Sequence, residues 1–250
     1  MNSRSEERSS AQPQSQTDIV IQEIKRLVLD GVLGPGSRLP IEKDLAARLG
    51  VSRGSLREGV RALAHLGVLE TRQGAGTYVT ELDAGRLLSP LGFLAELSTP
   101  GNAAQLLAVR RILEAESAAL AALAIDEEGL DSLTEALARA DSAFWPTGTD
   151  VEAFLDADAD FHIRIARSTG NPALAALIEN LIGRTARMRV IRAMSERGAV
   201  HATQAEHYAI LAQLRRRDPA RARIRMEAHL VGVEEFAQSQ AGHTVPDGSG

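Results

Sequence analysis

Val51-Ser52-Arg53-Gly54-Ser55-Leu56-Arg57-Glu58 opens one helical pattern, and Arg72-Gln73-Gly74-Ala75-Gly76 closes the short hairpin that follows it. Ser52 sits where a helix N-cap belongs: its hydroxyl can accept from free N–H groups of the first turn and still be offered to a phosphate. Arg53 and Arg57 are four residues apart and project from one helical face. Behind them Leu56, Val60, Leu63 and Leu66 repeat at helical spacing and predict the packing face. Val68–Arg72 and Thr77–Thr80 are β-prone runs, with Gly74 and Gly76 suited to positive φ at the tip. An α-helix fits the DNA major groove and reads it with its first turn, while a hairpin beside it can approach a phosphate or the minor groove. The pattern is that of a winged helix-turn-helix. On these residues alone, a small helical domain with an ordinary surface hairpin remains an alternative.

Upstream, Ile41–Leu49 reads as the preceding helix, with Leu45, Ala46 and Leu49 apolar and Gly50 as its C-terminal stop. An earlier helix over Ile19–Leu29 places Val20, Ile24, Leu27 and Val28 on one side. Pro35-Gly36 marks a turn, and Leu39, because it precedes Pro40, is extended.

The composition suits an intracellular protein of two domains: 250 residues exceed the usual single domain, and 44% hydrophobic content can fill two cores. The absence of cysteine excludes disulfides and thiolate metal sites. No secretion signal and no apolar run of membrane-spanning length are visible, so the expected location is the cytoplasm, with no membrane association. The net charge of −5 is unevenly spread. From Arg38 to Arg72 seven Lys/Arg face four Asp/Glu, a local balance of +3, and the remainder of the chain is acidic. An acidic companion domain weakens non-specific attraction to phosphate, so tight DNA binding calls for two readers held together, a homodimer.

Residues 1–16 are polar and expected to be a disordered arm, 17–82 form the winged helix-turn-helix, 83–102 a linker with a connecting helix at Leu91–Leu97, 103–240 an all-helical domain, and 241–250 a disordered tail. Beyond the linker only helical patterns are read: Ala103–Ala124, Glu127–Phe144, Val151–Ser168, Pro172–Met194, Ala202–Arg216 and Pro219–Gln238. The expected fold class is therefore mainly α, a winged helix-turn-helix joined to a helical bundle. A bundle of this length has room for a small-molecule pocket. Asp158 and His162, at i and i+4, share a helix face and can grip one ion together. His207 and His229 lie in the last two helical patterns. Three imidazoles and a carboxylate suit zinc, with nickel or another transition metal as alternatives, though each residue singly also reads as a hydrogen-bonded core group.

Residues Asp18–Leu82 resemble the DNA-binding domain of GntR-family bacterial transcription regulators. The resemblance rests on Pro35-Gly36-Ser37-Arg38-Leu39-Pro40, Leu45-Ala46, Gly50-Val51-Ser52-Arg53, Leu56-Arg57-Glu58 and the Gly74-Ala75-Gly76 tip, in the family's order and spacing. It implies DNA contacts from Arg38, Lys43, Ser52, Arg53, Ser55, Arg57 and Gly74. Two positions depart from the family: Ile41 replaces a small polar cap, and Lys43 replaces an arginine and so lacks the planar fork that grips guanine. Residues from about Leu106 to Ala237 are similar to the helical (FCD) effector domain of the FadR-type branch. The matching pieces are Arg110-Arg111-Ile112-Leu113-Glu114, Asp158 through Phe161-His162, Gly170-Asn171-Pro172, Glu206 to Ile210 and Met226 to Leu230. That resemblance implies a divalent metal on Asp158, His162, His207 and His229, and a small carboxylate or sugar-acid effector anchored partly by Arg110. Read without the family, Arg110 forms a surface ion pair with Glu114.

The expectation is a homodimeric, ligand-responsive regulator, in the first instance a repressor of a catabolic operon, bound to double-stranded operator DNA and not an enzyme. Two rivals are a metal-sensing regulator and a helical metallo-hydrolase fused to a winged-helix module. The hydrolase would need a general base; Glu206 is its nominee, but beside His207 it points about 100° away around the helix.

Overall fold

The computed structural model describes residues 15–88, 102–145 and 148–242. The chain divides into two compact units between Leu87 and Leu88. In the first unit α1 (Gln16–Leu29), α2 (Glu42–Leu49) and α3 (Arg53–His65) precede the antiparallel strands β1 (Leu69–Arg72) and β2 (Gly76–Val79). Residues 84–88 are helical (α4). Val20, Ile24 and Leu27 of α1 meet Leu45 of α2, Leu56 and Leu63 of α3, and Leu69 and Val79 of the hairpin in one core. Gly59 lets α1 and α3 approach: a Cβ there would lie 2.6 Å from Val20 Cγ1.

The boundaries correct the sequence reading in several places. Ser15 caps α1 through the Asp18 N–H, so the helix begins at Gln16, inside the stretch expected to be a disordered arm. Leu66 is the C-cap of α3 and half exposed, not part of its packing face. Part of the expected linker, residues 84–88, is helical, while the expected Leu91–Leu97 helix lies outside the described residues.

The second unit contains α5 (Asn102–Ala124), α6 (Glu127–Ser142), α7 (Val151–Arg167), α8 (Pro172–Ser195), α9 (Ala199–Arg215) and α10 (Pro219–Gly242). Asp126, Asp150 and Asn171 cap α6, α7 and α8 by accepting first-turn N–H groups, and Pro172 occupies the first position of α8, where its missing N–H is harmless. A two-residue hairpin, β3 (Phe144–Trp145) and β4 (Gly148–Thr149), joins α6 to α7. An all-helical reading of this half missed it, because Phe144 continues the apolar period of α6 and the strands are too short to show alternation. The last helix reaches Gly242, beyond the expected start of the tail. Leu133, Leu137, Phe161, Ile165, Ile210, Leu214, Met226 and Leu230 form the main core, which brings α7, α9 and α10 against one another.

Candidate DNA-reading face and metal centre

On the reader unit, Ser52 accepts from the Ser55 N–H at 3.0 Å, so its hydroxyl caps α3 as expected. The Gln16 side chain accepts from the Ser52 N–H (3.0 Å) and the Ser55 hydroxyl (3.1 Å), a link between α1 and the start of α3 that no local pattern shows. Arg38, Lys43, Ser52, Arg53, Arg57 and Gly74 are exposed and Ser55 is half-buried. Arg57 donates to Glu42 at 2.8 Å; both are largely solvated, so the pair is weak and easily given up. Ile41 begins α2 with no side-chain cap, as its apolar side chain requires. At the wing, Gly74 and Gly76 adopt φ of 72° and 112°. The Arg38 guanidinium lies over Gly76, where a Cβ would meet its Nε at 2.8 Å. The Tyr78 hydroxyl donates to the Ala75 carbonyl at 3.1 Å, tying the tip to its strand. Arg38, Gln73 and Gly74 line a groove with Glu42 and Leu56, between α2, α3 and the wing.

The helical unit brings together all four expected ligands. Asp158 and His162 on α7, His207 on α9 and His229 on α10 are buried, and one donor atom from each lies within 4.8 Å of the others. Asp158 Oδ1 is 3.4 Å from His207 Nε2 and 4.0 Å from His162 Nε2. Donors held 2.0–2.1 Å from one ion lie about 3–4 Å apart, so small adjustments suffice. His162 Nε2 and both ring nitrogens of His207 have no hydrogen-bond partner among the described residues, though each is sealed from water. Buried imidazole nitrogens without partners are costly unless a cation uses them. The residues present therefore fit a divalent metal.

Around the four donors stands a set of buried charges, of which local sequence reading gives the Arg110–Glu114 pair but not Arg189. Arg189 of α8, buried, donates to Asp158 and, at 3.1 Å, to the Ile182 carbonyl. Arg110 of α5 donates to Glu114 and to the Thr185 hydroxyl (3.1 Å), and Glu114 in turn lies against His162 Nδ1. The Arg110–Glu114 pair is thus real but fully buried, not the surface pair that the spacing alone suggests. Burial pushes the Asp158 carboxyl up, yet the Arg189 guanidinium beside it outweighs burial and holds the group far below the usual carboxylate range. Burial likewise opposes Glu114, but Arg110 and His162 bring it down to about 2. Burial pushes His207 well below the ordinary imidazole value and lowers His229 too, leaving both neutral and able to coordinate. Glu206 faces His229 Nδ1 at 2.8 Å, where it orients that ring. Arg110, Asp158, Arg189, Arg192 and His229 also line a cavity walled on its apolar side by Phe154, Val200 and Leu230.

A winged-helix reader joined in one chain to a helical domain that carries three buried histidines and an aspartate defines a class, the two-domain DNA-binding regulators. The sequence profile described as "Bacterial regulatory proteins, gntR family" matches residues 16–79, and that of the "FCD domain" matches residues 105–232. The HTH-type transcriptional regulator LutR of Bacillus subtilis is 33% identical over 213 residues, 84% of this chain and 95% of that protein. The HTH-type transcriptional repressor NanR of Klebsiella aerogenes is 31% identical over 226 residues, covering 87% and 83%. The Glc operon transcriptional activator of Escherichia coli is 34% identical over 166 residues, covering 66% and 65%. Among solved structures, a Streptococcus agalactiae GntR superposes with a TM-score of 0.63 at 26% identity, over 88% of this chain and 99% of that one. The chain belongs to the GntR family of transcription regulators, in its FadR-type branch with an FCD domain. These relatives are regulators and not enzymes. No helix among the described residues is long and apolar enough to cross a membrane.

Proposed function

We propose that this protein is a homodimeric repressor of a catabolic operon, released from or retained on its operator by a small carboxylate or sugar acid bound in the helical unit. The observation that carries the proposal is the cluster of four buried metal-ligand donors, two of which, Asp158 and His229, line a cavity that Arg110 and Arg189 also line. Asp158, His162, His207 and His229 would hold a divalent ion, zinc first by the donor set and nickel or another transition metal next. When bound, that ion supplies positive charge and an open coordination position for a carboxylate oxygen. Arg189 keeps Asp158 ionised, burial keeps His207 and His229 neutral, Glu206 fixes the His229 ring, and Arg110 is the second anchor for the anion. Arg53 and Arg57 at the start of α3 would read base edges. Arg38, Lys43, Ser52, Ser55 and the Gly74 backbone would contact phosphates or groove edges. Repression is favoured by the NanR relative, which aligns over more of the chain than the Glc activator does. The hydrolase reading loses its base, because Glu206 is occupied by His229 at 2.8 Å.

The test is an operator titration followed by fluorescence anisotropy, first with metal alone and then with candidate acids on the metal-loaded protein. His162→Ala should keep operator affinity and lose the response to acid. In the parent, acid and operator must alter each other's affinity by one factor, of the order of about 1–3 kcal/mol. Equal acid affinity by calorimetry with and without saturating operator refutes the coupling. A full response to metal alone assigns the metal-sensing role instead.

A further inference from the structure

The side chain of Gln16, in the first turn of α1, is exposed but held in place. Its oxygen accepts from the Ser52 N–H at 3.0 Å and from the Ser55 hydroxyl at 3.1 Å. A backbone N–H can only donate, so the atom facing Ser52 has to be the amide oxygen, and the orientation of the whole amide follows from that. The surroundings fix the residue on both sides. Ser15 and Asp18 form a capping box that starts α1 at Gln16. One residue on, the Thr17 hydroxyl donates to Glu58 of α3 at 3.0 Å, and one turn further along α1 Val20 closes against Gly59.

The hydrogens available at this corner decide what it offers to DNA. Ser55 has one hydroxyl hydrogen, and Gln16 takes it. The Ser52 and Ser55 hydroxyl oxygens are 2.9 Å apart, so the hydrogen between them has to come from Ser52. The Ser52 oxygen in turn accepts the Ser55 N–H. Both serine hydrogens are thus spent within the protein, and the two hydroxyls present lone pairs outward. The Gln16 amide nitrogen carries two hydrogens and meets no acceptor among the described residues. A phosphate oxygen can only accept, whereas the amino groups of adenine and cytosine in the major groove donate. Neutral side chains, glutamine among them, regularly hold the sugar–phosphate backbone where it flanks a recognition helix.

We infer that Gln16 belongs to the DNA-binding face: its amide nitrogen donates to a backbone phosphate beside the first turn of α3, and its oxygen holds Ser52 and Ser55 as acceptors for base amino groups. The inference rests on α3 being the reader helix and adds to the reader a residue of α1, outside both the recognition helix and the wing.

The probe is a fluorescein-labelled duplex selected by the parent protein from a randomised pool, titrated by fluorescence anisotropy at one fixed salt concentration beside a shuffled duplex of the same composition. Gln16→Met removes oxygen and nitrogen together. Gln16→Glu keeps acceptor oxygens, and with them the tie to α3, but sets a negative charge where the NH2 group was. Gln16 is exposed, so both variants should keep the parent's helical circular dichroism. Gln16→Met should weaken binding about 10-fold and Gln16→Glu at least as much, on both duplexes alike, because a hydrogen bond to a charged group is lost and phosphate contacts carry no sequence information. Replacing the phosphates of the selected duplex one at a time by methylphosphonate should find a position at which the parent loses affinity and Gln16→Met loses nothing more. Parent-like binding by Gln16→Glu would overturn the inference and leave Gln16 a tie between two helices. A loss confined to the selected duplex would overturn it in favour of a base contact, and a loss coupled to no phosphate would overturn it as well. Arg53→Ala and Arg57→Ala separate the two levels: parent-like binding by both removes α3 as the reader and this inference with it, whereas weakened binding by them beside unaffected Gln16 variants removes this inference alone.

Discussion

Replacing Arg189 by methionine tests the link between the buried charges and the metal. Arg189 and Asp158 are 8% and 3% exposed, and the guanidinium is the nearest fixed positive charge to that carboxylate. Methionine fills a similar volume but leaves Asp158 ionised among imidazoles, or forces it to take a proton. Removing one partner of a buried pair destabilises a protein by about 3–5 kcal/mol. For a unit of this size that lowers the melting temperature by roughly 6–20 °C, at about 2–4 °C per kcal/mol. The loss should apply in full only to chelator-treated protein. A divalent ion on Asp158 replaces the missing positive charge, so in zinc-loaded protein the loss should shrink to the part that metal cannot restore, the hydrogen bond to the Ile182 carbonyl, about 1 kcal/mol. Scanning calorimetry of parent and Arg189→Met, each with chelator and with zinc, measures both differences. A loss of equal size in the two states would refute the reasoning, since Arg189 would then be stabilising something other than the Asp158 charge.

Three further outcomes are expected. Arg53→Ala and Arg57→Ala should each weaken operator binding by about 1–3 kcal/mol without unfolding the protein; parent-like mobility shifts for both would remove them from the reading face. Purified protein should hold about one divalent ion per chain by elemental analysis, and His207→Ala or His229→Ala should cut that sharply, because a lost ligand leaves an incomplete shell; full occupancy in either variant would exclude that residue from the shell. Glu114 has a folded-state value of about 2 against an ordinary 4.5, a depressed carboxylate. Its stabilisation is therefore present above pH 4.5 and lost as the pH falls towards 2, and urea unfolding of metal-free Glu114→Gln should show a shallower loss over that window than the parent; equal slopes would assign the acid sensitivity elsewhere.

Much of the reader was legible because its signals are local. The Ser52 cap, the Leu56 and Leu63 packing positions and the positive-φ glycines of the wing each depend on residues a few positions apart, and the structure has them as read. Asp158 and His162 were likewise within reach, since one turn of helix fixes their relation. The family's motif pointed to His207 and His229, but only the packing of α9 and α10 on α7 brings their rings beside Asp158. Nothing local distinguishes Arg189 from its neighbours Arg187 and Arg192 on α8, or shows that Gln16 reaches the start of α3. The same holds for Arg110 and Glu114: their spacing of four residues determined that they would meet, whereas whether they meet in water or in a sealed interior depended on which side of α5 the other helices cover. Periodicity and capping act over a single turn and are written in the chain. The burial of a charge, and the partner that neutralises it, are decided by long-range packing, where desolvation makes the same pair of side chains a surface ornament or the electrostatic frame of a metal centre.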